Sequence, residues 1–197
     1  MAKRNTQNEI KQAACREFLE KGFRTASLRN IVKEAGVTTG AFYGYYRSKE
    51  ELFEALVSDQ YEELLVLFQN AFSEFLQMNP QEDQKEGTYE ESHLKKLIDY
   101  IYDNMTAFKL ILCCAEGTKY ENVIHNMAKF EIGASGHFSE GIDMKDVNAD
   151  LEHMLNSGMF TAFFEVVVHE YPKEKAAEYS RKLLEFYSAG WQRLKGI

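Results

Sequence analysis

The chain has 197 residues, of which 45% are apolar and 27% charged, a globular balance that excludes a disordered chain. No run approaches the ~18 consecutive apolar residues of a membrane span. The start, Met1-Ala2-Lys3-Arg4-Asn5, leads into polar residues without the apolar core of a secretion signal, so a cytoplasmic protein with no membrane association is expected. The formal charge of −8 is unevenly spread: residues 1–50 hold ten Lys/Arg and five Asp/Glu, whereas residues 51–197 hold thirteen and twenty-six. A basic end on an acidic body points to a nucleic-acid-facing segment.

Two prolines, Pro80 and Pro172, in a chain rich in Leu, Glu, Lys, Phe and Ala favour long helices. Ile10, Ala14 and Phe18, with Ala13 beside them, recur at helical spacing. Gly22 is placed to end that first helix. Ser27 can cap a second, carrying Leu28, Ile31, Val32 and Ala35, and Gly36 breaks it. Thr38 can cap a third through Thr39–Tyr45. Ser48-Lys49-Glu50-Glu51 has the form of a capping box, and the helix it opens carries Leu52, Phe53, Leu56, Leu64, Phe68 and Phe72 toward Met78. After a loop at Asn79–Gly87, helices are expected over Thr88–Asp103, Met105–Glu116 and Tyr120–Glu131. The glycines at 133, 136 and 141 predict irregular backbone there. A long helix is expected over Val147–His169, and Pro172 suits the first turn of a last one ending near Leu194. The expected class is all-α with about nine helices, divided into residues 1–50 and residues 51–197.

Ser27–Lys49 reads SLRNIVKEAGVTTGAFYGYYRSK. Two short helices around Ala35-Gly36-Val37 have the form of a helix-turn-helix, with Gly36 supplying the positive φ of the turn. The second helix would enter the major groove. Thr38, Thr39, Tyr43 and Tyr45 carry hydroxyls suited to phosphates or base edges. Gly40 and Ala41 permit close approach, and the Ala41 methyl can touch thymine. Arg29 could reach a guanine or a phosphate, and Lys49 adds charge at the start of the next helix.

Ser27, Ile31, Ala35, Gly36, Val37, Gly40, Phe42, Tyr43, Ser48, Lys49, Glu50 and Leu52 stand where the TetR family has its N-terminal signature, and this segment resembles it. The resemblance is specific over residues 8–53 and architectural beyond. It implies a homodimeric, two-domain regulator that binds a palindromic operator in double-stranded DNA, acts as a repressor and is released by a small-molecule effector. It assigns DNA contacts to Ser27, Arg29, Thr38, Thr39, Gly40, Ala41, Tyr43, Tyr45 and Lys49. Four positions depart from the pattern: Ala26 for the usual Thr, with Thr25 adjacent as a substitute; Val32 for Ala; Tyr46 for Phe; and Gly44 for a larger residue. The alternative is a DNA-associated adaptor of the same fold without an effector.

For residues 51–197, Leu155, Gly158, Ala162 and Val166 form one stripe, extended by Leu151. Leu183, Phe186, Tyr187, Gly190 and Trp191 form another, extended by Leu194. Both suit a helical dimer interface. Candidate effector contacts are Tyr100, Phe108, Cys113, His125, Phe130, Met159, Phe160 and Phe163, with Phe138, Met154 and Phe164 as further aromatic or Met candidates. Three cysteines, Cys15, Cys113 and Cys114, fit no disulfide framework, and the adjacent pair is expected to be two small buried hydrophobes. The five histidines show no i, i+4 pair and no HExxH or CxxC spacing occurs, so no metal and no cofactor is expected. No constellation of nucleophile, base and orienting group is visible, so no enzymatic activity is expected.

Overall fold

A computed structural model describes residues 6–77, 87–135 and 148–195. Among the described residues there are nine helices and no strand: α1 Thr6–Thr25, α2 Leu28–Glu34, α3 Thr39–Tyr43, α4 Lys49–Gln77, α5 Gly87–Asp103, α6 Met105–Cys113, α7 Val123–Ser135, α8 Ala149–Val168 and α9 Lys173–Lys195. The all-α class read from the sequence is the class found. The expected loop after Asn79, Phe138 and most of the glycine-bearing segment lie outside the described residues. Gly133 lies within α7.

The chain divides by packing into two compact units, Met1–Glu63 with Asn104–Glu121, and Leu64–Asp103 with Asn122–Ile197. The boundary expected at residue 50 follows the extent of a motif, whereas this division follows packing, so α4 contributes to both units and α6 joins the first.

The first unit is built on the apolar stripe of α1. Ile10, Ala13, Ala14 and Phe18 are fully buried with Ile31 of α2, Phe42 of α3, and Leu52 and Phe53 of α4. Phe18, Phe23 and Phe53 form a ring cluster with centroids 5.3–5.7 Å apart, the tilted and edge-on arrangement that aromatic quadrupoles favour. Gly22, at φ 71 and ψ 159, breaks α1 internally, and one further helical stretch carries it to Thr25. The break aims the Phe23 N–H at the Cys114 carbonyl, 2.8 Å away, just past the end of α6. This end differs from the expected Glu116. Cys114 leaves the helix and is buried, whereas Cys113, still helical, is exposed. Only one of the adjacent thiols is therefore a core residue, because successive helical side chains point in different directions.

In the second unit α7 packs on α8, and α9 packs on both α8 and α5. Phe160, Phe163, Phe164, Val166 and Val167 of α8 are buried. Asn148 caps α8, its side-chain oxygen accepting the Leu151 N–H at 2.9 Å. The Tyr102 hydroxyl donates to the Tyr171 carbonyl at 2.5 Å, and Lys173 pairs with Asp99 at 2.8 Å, fixing the start of α9 against α5.

Candidate nucleic-acid interface

The turn between α2 and α3 is set by its hydrogen bonds. Val37 N–H reaches the Val32 carbonyl at 3.0 Å and Gly36 N–H the Lys33 carbonyl at 3.1 Å, the paired bonds of a Schellman ending. Gly36 sits at φ 63, where a Cβ would be strained. Thr38 then caps α3, its Oγ1 accepting the Ala41 N–H at 3.1 Å. Phe42 and Tyr46 anchor α3 from below, at 0% and 4% exposure.

Anchoring on that side turns the other side outward. Thr38, Thr39, Gly40, Ala41, Tyr43, Gly44 and Tyr45 are all exposed, and Tyr43 and Tyr45 are among the exposed large hydrophobic residues of the chain. An ideal Cβ built on Gly40 would meet only Thr38 Oγ1, at 3.9 Å, so nothing inside the fold demands a glycine there. Gly44 differs, since a Cβ would come within 3.3 Å of the Ala41 carbonyl oxygen. That contact is tight, but Gly44 has ordinary right-handed helical backbone, so the fold does not by itself explain this departure from the family pattern.

Arg29 is exposed on α2, and Ser27 is half-buried at its start. The Thr25 hydroxyl bonds back to the Lys21 carbonyl, an i−4 bond within α1, and Ala26 is buried. Lys49 is half-buried, its ammonium held by the carbonyls of Phe23 and Arg24 at the end of α1 and of Ala26 just beyond it. The capping box forms with a shift: Ser48 Oγ accepts the Glu51 N–H at 3.2 Å, and Glu51 reaches one residue further back, to the Arg47 N–H at 2.6 Å.

Two residues of this region carry no signature of their own in the sequence, Glu17 and Arg47. Arg47 is exposed between α3 and α4. Glu17 is buried, and its carboxyl is held below the usual carboxylate value by the Ser27 N–H first, against the opposing effect of burial, with Asn30 and Lys21 assisting. A partial signal for Glu17 does exist, because position 17 continues the buried register of residues 10, 13 and 14.

The residues expected to contact an effector are divided between the units. Phe108 is buried and Cys113 exposed in the first. Tyr100, His125, Met159, Phe160 and Phe163 belong to the second, where Phe160 and Phe163 are core. The side chain of Phe130 lies outside those described. His125 Nδ1 stands 3.0 Å from His153 Nε2 across α7 and α8, a histidine pair that sequence spacing conceals. Of the two apolar stripes, Gly158 faces α9 of the same chain, since a Cβ there would meet the Tyr187 hydroxyl at 3.1 Å. Ala162, Val166 and Leu183 line a cavity of about 140 Å³ between α8 and α9. Phe186 is 73% exposed. Among the described residues no group of three or more potential metal ligands occurs, and no helix is long and apolar enough to cross a membrane.

Residues 10–56 match the family model described as bacterial regulatory proteins, tetR family. The HTH-type transcriptional regulator YdgC of Bacillus subtilis is 41% identical over 54 residues, 27% of this chain and 28% of that protein. The chain thus matches well under two thirds of the length of that curated relative. Among solved structures, a TetR-like transcriptional regulator from Rhodococcus aligns over 100% of both chains at TM-score 0.59 and 17% identity. A transcriptional regulator from Aquifex aeolicus aligns over 92% of this chain and 99% of its own at TM-score 0.55 and 23% identity. At these identities the solved structures speak for the fold. The signature residues lie on α2, α3, the start of α4 and the turns between them, all within the segment that matches the tetR family of bacterial regulatory proteins.

Proposed function

We propose that the chain is a homodimeric, sequence-specific DNA-binding transcriptional regulator that inserts α3 into the major groove of an operator. The observation that carries this reading is the polarity of α3. Its inner side is fixed by Phe42 and Tyr46, and its outer residues are small or hydroxyl-bearing and exposed. In this reading Thr39, Ala41, Tyr43 and Tyr45 contact base edges or phosphates, and Gly40 admits the backbone to the groove. Ser27 and Arg29 approach the same duplex from α2. Thr38 keeps a donor free for phosphate while its oxygen caps α3.

Dimerisation is assigned to α8 and α9. Phe186 and Leu194 of α9 and Met154 and Val168 of α8 are exposed, and large apolar side chains left in water on two adjacent helices favour burial against a second copy. Two copies would present their α3 helices about 34 Å apart, one turn of DNA. Repression, and its relief by a small molecule bound in the second unit, complete the proposal. The differential affinity of such an effector for two spacings of the recognition helices would shift the population away from the DNA-bound form. A target in DNA places the protein in the cytoplasm.

The test is selection of duplexes from a random library by the full-length protein, followed by gel shift at physiological salt. A palindromic consensus bound by a dimer is the expected result. Absence of any sequence preference under those conditions would sink the proposal.

A further inference from the structure

The segment Phe23–Ser27 leads from α1 into α2 and so sets the direction in which Ser27 and Arg29 are presented. Two charged side chains hold it. Ser27 gives its own helix no side-chain cap. Glu17 Oε1 instead accepts the N–H of Ser27 itself at 2.9 Å and that of Asn30 Nδ2 at 3.2 Å, while Lys21 Nζ lies 3.3 Å from both carboxylate oxygens. Glu17 is only 5% exposed, so these donors replace the water its charge would otherwise require.

The carbonyl side of the same segment is held by Lys49. Its Nζ donates to the Phe23 carbonyl at 2.6 Å, the Ala26 carbonyl at 3.0 Å and the Arg24 carbonyl at 3.4 Å. It also lies 4.4 Å from the centroid of the Phe23 ring. An ammonium has three N–H donors, and three carbonyls account for all of them. A cation beside the last carbonyls of α1 is also favoured by the helix dipole.

We infer that Glu17 and Lys49 are positioning residues of the DNA interface, an anion on the N–H side and a cation on the carbonyl side of residues 23–27, and that Lys49 makes no phosphate contact of its own. The inference rests on the DNA-binding reading above and reassigns the lysine that the family resemblance places on DNA.

Salt dependence separates positioning from direct contact. Removing one phosphate contact flattens the slope of log K against log salt by about 0.9. With full-length protein and a duplex selected from a random library, Lys49→Gln should weaken binding about tenfold at every salt concentration and leave the slope unchanged. A slope flattened by that amount would overturn the assignment. Lys49→Met is the second variant should Lys49→Gln fold poorly. A second readout needs no DNA: the Ser27 amide resonance should move with the titration of Glu17 in the wild type and stay fixed in Glu17→Gln. An unmoved Ser27 amide in the wild type overturns the anionic half of the bracket. If no duplex is selected, the DNA-binding reading fails while the amide titration still decides the bracket.

Discussion

Gly40→Ala separates what the fold needs from what DNA binding needs. In most helices glycine is a weakness, costing about 0.5–1 kcal/mol relative to alanine through the backbone freedom it loses on folding. Gly40 is the second residue of α3, and its Cβ position is open except for Thr38 Oγ1 at 3.9 Å, an ordinary van der Waals distance. The substitution should therefore stabilise the free protein by about 0.5 kcal/mol, raising the melting temperature by about 1–2 °C. On the proposed interface the added methyl points outward from an exposed position, into the space a base pair or phosphate would take. A loss of affinity of about tenfold, or 1.4 kcal/mol, is expected for the selected duplex. Thermal melting and gel shift on one preparation give both quantities. A variant that melts higher and binds DNA as tightly as the wild type would refute the placement of α3 backbone against the groove.

Thr38→Ala removes the cap on the Ala41 N–H and should cost about 1 kcal/mol; Thr38→Ser should restore it, as read by chemical denaturation. Phe186→Lys puts a charge where 73% of an aromatic side chain is exposed on α9, and sedimentation should show a monomer at micromolar concentration if that surface is the dimer interface. Acid should weaken the first unit through Glu17. Its folded carboxyl lies below the usual value of 4.5 because the Ser27 N–H, Asn30 and Lys21 favour the ionised form. Its contribution is thus complete above that value and is lost as the pH falls through the lower folded one. Melting curves carried from about pH 7 to about pH 2 should draw together for wild type and Glu17→Gln only at the acid end, below the folded value of Glu17, and parallel curves would contradict the linkage.

The helix-turn-helix is legible in the sequence because its constraints are local. Gly36 is needed by the sign of one φ, Thr38 by one cap, and Phe42 and Tyr46 by the period of one short helix, so each can be read within a few residues. Glu17 is half legible. Its register announces a buried position, but its partners, the Ser27 N–H and Asn30, depend on how α1 breaks at Gly22. Lys49 reads as a phosphate contact because charge is visible in sequence, whereas the carbonyls of Phe23, Arg24 and Ala26 that surround it come from a segment more than twenty residues away.

The same distinction governs the second unit. An i, i+4 search finds histidines on one helix, and His125 and His153 meet from two. The stripes on α8 and α9 are equally readable as surfaces for a partner or for each other. Gly158 against Tyr187 and the buried Val166 have neighbours within the chain, whereas Ala162 and Leu183 are half-buried beside one cavity. What remains facing outward, Phe186 foremost, is then the sharper place to test dimerisation. An apolar residue already buried within its own chain gains little from a second copy, whereas one left in water gains the burial of its whole exposed surface.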